Sequence, residues 1–190
     1  MNWYKIAKEK NKSPQELFRG DENPIDIENY DHEYASKVLG KELSSSMSNG
    51  PGLYFTVTED NAKFYGQNIT KKTLQNANII TEKTPKFNYK QIEKILQGFN
   101  KERMAIAVSN WNENYNIGKK MLIESIVDYA DNATVQLMLI WADVFAHQDP
   151  NSFIQLMVNN GIDGIAVIIP NAATNQSDTH YIIYNKNVLK

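Results

Sequence analysis

The change of hydrophobic period along the chain constrains its fold more than any other feature. Between Asn88 and Gly161 apolar residues recur every three or four positions, the spacing of amphipathic helices. The runs "IDGIAVIIP" and "HYIIYN" then follow with the near-continuous apolar character of strands. Before the helical middle, "QELFRGD", "LYFTV" and "NANIIT" also favour strands. The pattern therefore predicts a mixed α+β domain with a helical middle segment.

Capping residues indicate where the helices begin and end. In "TEDNAKFYG", Thr58 precedes two carboxylates and a glycine closes the segment, so we expect a short helix there. Four later segments are predicted to be helical: "NYKQIEKILQGF", "KERMAIAVSNW", a long apolar stretch over 117–147 broken near Asp131 and Asn132, and "DPNSFIQLMVNNG". The first dozen residues and "HEYASKVLGKEL" are also predicted to form helices.

Composition narrows the classes of protein to consider. With 190 residues, 42% hydrophobic and 22% charged, the chain fits one domain over 1–190. A net charge of -2 argues against a broad nucleic-acid surface, and the absence of cysteine excludes disulfides and thiol catalysis. No apolar run is long enough for a signal peptide or a membrane span, so we expect no membrane partner and a cytoplasmic location.

The common motifs of enzymes are missing. There is no glycine-rich dinucleotide or phosphate loop, and no serine-nucleophile elbow. His32, His147 and His180 lack the spacing of metal ligands. We therefore expect neither a metal site nor a serine nucleophile.

Three short stretches remain where a strand meets a loop. In "LFRGD", Arg19 is either a surface arginine or a fork for phosphate or ribose, and Gly20 would allow close backbone approach. In "GPGLYFTVTEDNAKFYG", alternation sends Tyr54 and Thr56 to one face, and the following helix can return Tyr65 toward Tyr54. Taken alone, both tyrosines fit simple packing, with Phe55 in the core.

The third stretch is "QSDTHYIIYN". Asp178 and His180 are two residues apart on a strand, so their side chains share a face. A histidine on a strand is commonly structural or solvated. We expect the carboxylate to raise the imidazole pKa.

In this order, the three stretches resemble the ADP-ribosyltransferase superfamily, in the branch of diphtheria toxin and poly-ADP-ribose polymerases and their phage or bacterial members. "FRG" resembles the first-strand motif, the two tyrosines resemble the second, and "GIDGIAVII" with "HYIIYNKNVLK" resembles the closing strands. The resemblance covers about residues 15–190. It implies two small antiparallel sheets split around an NAD cleft.

The resemblance also implies roles for individual residues. Gly20 would hold the nicotinamide carboxamide, Arg19 would contact ribose or phosphates, and Tyr54 and Tyr65 would stack on nicotinamide. Thr56, on the same face as Tyr54, is included among the NAD-binding residues. NAD would be the substrate, losing nicotinamide through an oxocarbenium-like state before an acceptor attacks.

The sequence departs from the family where a catalytic glutamate is expected, because His180 stands there. Either Asp178 supplies the carboxylate, or His180 acts as a neutral imidazole, or the protein is weak or inactive; Glu59 is a weaker substitute. We expect transfer of ADP-ribose to a macromolecular acceptor, with protein favoured over nucleic acid by the near-neutral charge. The alternatives are a binding module without turnover and an interaction protein without a ligand.

Overall fold

The computed structural model describes residues 15–29, 49–171 and 176–190. The strands in chain order are β1 Gln15–Asp21, β2 Leu53–Thr56, β3 Asn68–Leu74, β4 Ile79–Ile80, β5 Gly164–Asn171 and β6 Gln176–Ile183. The helices are α1 Glu59–Lys63, α2 Tyr89–Leu96, α3 Lys101–Ser109, α4 Tyr115–Tyr129, α5 Ala133–Leu139 and α6 Pro150–Asn159. A π-helical turn, Ile140–Val144, continues α5, and a 3-10 turn, Lys186–Val188, follows β6. The helices predicted in the first dozen residues and in "HEYASKVLGKEL" lie outside the described residues.

The described strands form one six-stranded sheet in the order β3-β1-β2-β6-β5-β4. Only β4 and β5 run parallel, and the other neighbouring pairs are antiparallel. The α+β class and the helical middle are therefore confirmed. The expectation of two small sheets is corrected, because the pair Phe18 and Thr56 joins the β3–β1 ladder to the remaining strands. This junction between β1 and β2 is called the seam below.

Side-chain caps explain where the helices begin. The residue before each helix accepts a hydrogen bond from a backbone N–H of its first turn, which satisfies a donor that the helix itself leaves unpaired. The caps are Thr58, Asn88, Asn100, Asn114, Asn132 and Asp149. The predicted break near Asp131 is confirmed, since α4 ends before it and Asn132 caps α5.

The two faces of the sheet pack against different clusters of buried residues. On one face, Ile165, Val167 and Ile182 join the apolar sides of helices α2 to α6 in the larger cluster. On the other, Leu17, Phe55 and neighbouring residues form a smaller cluster with the C-terminal segment. Phe55 is 1% exposed, which confirms the prediction that it belongs to the core. Among the described residues, no helix has both the length and the apolar character to span a membrane.

Candidate functional site

Strand β6 presents two polar side chains on the helical face of the sheet. Asp178 and His180 alternate with Thr179 and Tyr181, and they lie opposite Ile169 and Val167 of β5. Their side chains are only 5% and 6% exposed, and Asp178 Oδ2 lies 3.2 Å from His180 Nε2. The sequence prediction that these two residues share a face is confirmed.

Helix α1 brings Tyr65 to the same place. After α1 ends, the backbone N–H of Tyr65 donates to the carbonyl of Ala62 at 3.0 Å, which turns the chain back over the sheet. Tyr65 Oη then lies 3.3 Å from His180 Nε2, and the two rings meet edge-on with centroids 5.6 Å apart. Tyr65 remains 52% exposed, so one side of its ring faces solvent.

Glycine at position 20 allows the backbone of α1 to pack this closely against the backbone of β1. A Cβ added at Gly20 would lie 1.9 Å from the carbonyl oxygen of Ala62 and 2.9 Å from that of Gly66. The close approach is reciprocal, since a Cβ at Gly66 would lie 2.1 Å from the carbonyl carbon of Asp21. Gly20 is therefore needed for the packing of α1, whereas its contact with nicotinamide stays a prediction.

Burial controls the charge of the site. Desolvation lowers the pKa of His180, and the opposing effect of the Asp178 carboxylate is smaller. Asp178 raises the imidazole pKa as expected, but the burial of the ring dominates, so the net shift of the His180 pKa is downward. Burial, with a smaller contribution from Asp178, raises the pKa of Tyr65. The site at neutral pH thus combines a neutral phenol and a neutral imidazole.

One oxygen of Asp178 is left without a hydrogen bond. Its Oδ2 is buried and 3.2 Å from Nε2; this contact raises the imidazole pKa, but it does not have the geometry of a full hydrogen bond, and no other described residue bonds this oxygen. A buried carboxylate oxygen without a donor is costly. The site can therefore accept a hydrogen bond at this position.

Thr56 lies directly opposite His180 in the β2–β6 ladder, next to the pair formed by Asp178 and His180. It is 2% exposed, and its hydroxyl is 2.8 Å from the carbonyl of Thr58 and 3.4 Å from that of Phe18. These contacts fix the turn into α1 and support the seam. Thr56 therefore helps to build the site, and direct contact with a ligand stays a prediction.

Tyr54 shares the face of Thr56 but points its hydroxyl elsewhere. The hydroxyl donates to the carbonyl of Gly50 at 2.6 Å, and the half-buried ring packs against the larger cluster. Burial raises the pKa of the neighbouring Tyr184, with a smaller contribution from Tyr54. The structure thus joins Tyr65 to His180 and gives Tyr54 a packing role at the start of β2. A slot between the two tyrosines stays a prediction.

Arg19 lies on the opposite face of β1 from Gly20, as strand alternation requires. Its Nε is 3.0 and 2.9 Å from the two carboxylate oxygens of Asp21, and its Nη1 donates to the carbonyl of Tyr54 at 3.3 Å. The arginine therefore spans the seam, and the structure does not bring it together with His180. Sequence reasoning missed Asp21 as its partner, although a spacing of two on a strand signals a shared face.

Two further features of the described residues bear on the choice of site. No group of three or more His, Asp or Glu side chains among them is placed to hold a metal ion. A groove of about 380 Å³ lies between the ends of α2 and α6, lined by residues that include Phe99, Arg103, Asp149 and Ser152. None of the predicted site residues lines this groove.

Comparisons with known proteins leave the family open. No family model matches the chain, and no curated protein matches it significantly. One solved structure, described as the crystal structure of an anti-CRISPR protein, is similar over 92% of this chain and 93% of its own, with 12% identity and a TM-score of 0.36. A TM-score this low supports no argument about fold or function.

Proposed function

We propose that the protein binds NAD on the face of the sheet that carries Tyr65, His180 and Asp178, and that it transfers ADP-ribose to a macromolecular acceptor. The observation that carries the proposal is the buried Asp178 carboxylate, which has an oxygen without a hydrogen bond next to His180, the residue that the exposed ring of Tyr65 contacts. A ribose hydroxyl would donate to that oxygen, and nicotinamide would pack on the ring of Tyr65.

The chemistry of the proposed transfer balances without a metal or a redox partner. The bond between ribose C1′ and the nicotinamide nitrogen breaks, and nicotinamide leaves with the electron pair. A nucleophilic group of the acceptor forms the new bond to C1′ and loses a proton. The charge of Asp178 would stabilise the oxocarbenium-like state, and a neutral His180 would not repel it.

A binding module without turnover is the second candidate. It is favoured by His180, which stands where the resemblance implies a glutamate. It is also favoured by the position of Asp178 two residues before His180, where its carboxylate is buried and 3.2 Å from the imidazole. The two candidates share NAD binding and differ only in turnover.

Calorimetry with NAD tests the binding step. Tyr65→Ala should bind NAD roughly 2- to 12-fold more weakly than Tyr65→Phe, which keeps the ring, the range that one aromatic contact of about 0.5–1.5 kcal/mol gives. Tyr129→Ala is the matched control, because Tyr129 is a 79% exposed tyrosine at the end of α4. The absence of NAD binding by the wild type, or equal NAD affinities of Tyr65→Ala and Tyr65→Phe, would contradict the proposal.

Labelled NAD tests the transfer step. Wild-type protein in a cell lysate should pass label to an acceptor, and Asp178→Asn should lower the rate by about 10²- to 10³-fold while NAD binding persists. Binding by the wild type without label transfer or nicotinamide release would instead support the binding module.

A further inference from the structure

His180 Nε2 and Asp178 Oδ2 form a compact pair that can hold a hydroxyl group. The two atoms are 3.2 Å apart, both side chains are about nineteen-twentieths buried, and Oδ2 makes no hydrogen bond with any described residue. A hydroxyl both donates and accepts, so one oxygen beside this pair, at hydrogen-bond distance from both atoms, could donate to Oδ2 and form a hydrogen bond with Nε2 at the same time.

The hydroxyl of Tyr65 already occupies the imidazole side of this pair. Its Oη lies 3.3 Å from Nε2, and its ring meets the imidazole edge-on. The contact depends on a side chain that is 52% exposed and that follows a helix of five residues. The phenol can therefore leave Nε2 without the loss of core packing.

We propose that the Tyr65 hydroxyl is an internal occupant of a hydroxyl-binding subsite formed by His180 and Asp178, and that a ligand hydroxyl must displace it from His180 Nε2. The ring and the hydroxyl of Tyr65 then have opposite effects, since the ring provides a wall for the ligand and the hydroxyl competes with it. For NAD the displacing group is a hydroxyl of the nicotinamide ribose, and this assignment rests on the function proposed above.

Tyr65→Phe separates the two effects, because it removes the hydroxyl and keeps the ring. Calorimetry should show NAD binding about 2- to 12-fold tighter than wild type, the range expected when one net hydrogen bond no longer has to be broken. Tyr65→Ala should bind more weakly than Tyr65→Phe because it also loses the ring, and the control Tyr129→Phe should match wild type. Binding by Tyr65→Phe that is equal to or weaker than wild type overturns the inference.

A ligand without nicotinamide distinguishes failure of the subsite from failure of the proposed function. D-ribose is titrated into wild type and Tyr65→Phe while the imidazole signals of His180 are followed by NMR. If no variant binds NAD but ribose shifts these signals at lower concentration in Tyr65→Phe, the proposed function fails and the subsite stands. If NAD does not bind and ribose moves the signals in neither protein, both fail.

Discussion

Replacement of Gly20 by alanine tests the packing that holds the candidate site together. The new methyl carbon would lie 1.9 Å from the Ala62 carbonyl oxygen, whereas real Cβ atoms essentially never approach within 3.0 Å. The obstacle is backbone, so no side-chain rotation can relieve it. Helix α1 would have to retreat by about 1 Å, or β1 would have to bend, as in other overpacked cores.

The cost follows from the kind of contact that is broken. Overpacking costs about 1–3 kcal/mol where neighbours can adjust, and we place Gly20→Ala near 3 kcal/mol because the clash is between backbone segments and α1 also packs on β2 and β3, the neighbours of β1 in the sheet. For a domain of this size that lowers Tm by roughly 6–12 °C. The carbonyl that the methyl meets also accepts the Tyr65 N–H, so the displacement reaches the contact with His180.

Urea and thermal unfolding followed by circular dichroism measure the loss, and NMR of His180 reports the site. Gly98→Ala is the matched control, since its methyl would approach only the end of the Leu156 side chain, at 3.0 Å. That variant should stay within about 1 kcal/mol of wild type. Equal stability of the two variants, with the His180 signals unchanged in Gly20→Ala, would refute the packing argument.

Two further predictions concern the core and the pH dependence. Gln136 is fully buried and bonds both the N–H and the C=O of Phe87. Gln136→Leu should therefore lower the free energy of unfolding, measured in urea, by about 2 kcal/mol. Gln155 is exposed, so the control Gln155→Leu should change it by less than about 0.5 kcal/mol. Burial lowers the pKa of His180 below 6.5, so the unfolded chain takes up this proton at a higher pH than the folded protein does. The contribution to the free energy of unfolding should therefore be fully present above pH 6.5 and fall below it. In urea titrations at several pH values, His180→Gln should reduce the slope of the free energy of unfolding against pH. A leucine variant as stable as wild type, or an identical pH slope in the histidine variant, would contradict these two arguments respectively.

The helices could be predicted because two independent signals agree in each of them. In α2, for example, Asn88 caps the first turn and Ile92 and Ile95 place an apolar stripe against the core. Strands β5 and β6 were also predictable, since buried strands carry near-continuous apolar runs. These signals are local, and the structure confirms the elements that they indicate.

Strand β3 is an element that local sequence signals do not predict. Its sequence "NITKKTL" was not predicted as a strand, because most of its side chains are polar and only Leu74 is fully buried. It lies at the edge of the sheet, where Lys71 and Lys72 pair with Glu16 and Glu28. Tertiary pairing with β1, rather than intrinsic preference, makes this segment extended.

The candidate site also combines features that local sequence patterns predict with features that only the tertiary structure provides. The shared face of Asp178 and His180 follows from their spacing of two and was predictable. The contact of Tyr65 with His180 joins residues 115 positions apart and depends on the close crossing at Gly20. The net lowering of the His180 pKa also depends on burial, which a strand pattern alone does not give.

Arg19 and Gly20 of "FRG" cannot both face one ligand on one side of the sheet, because successive residues of a strand face opposite sides. On the face of Tyr65, Gly20 contributes only its lack of a side chain. Arg19 lies on the opposite face of the sheet from Tyr65. Its Nη1 donates to the carbonyl of Tyr54 across the seam, where Phe18 and Thr56 are the one pair of described residues in register. An effect of Arg19 on ligand binding would therefore act through the position of β2, and with it Thr56 and the start of α1, rather than through contact with the ligand.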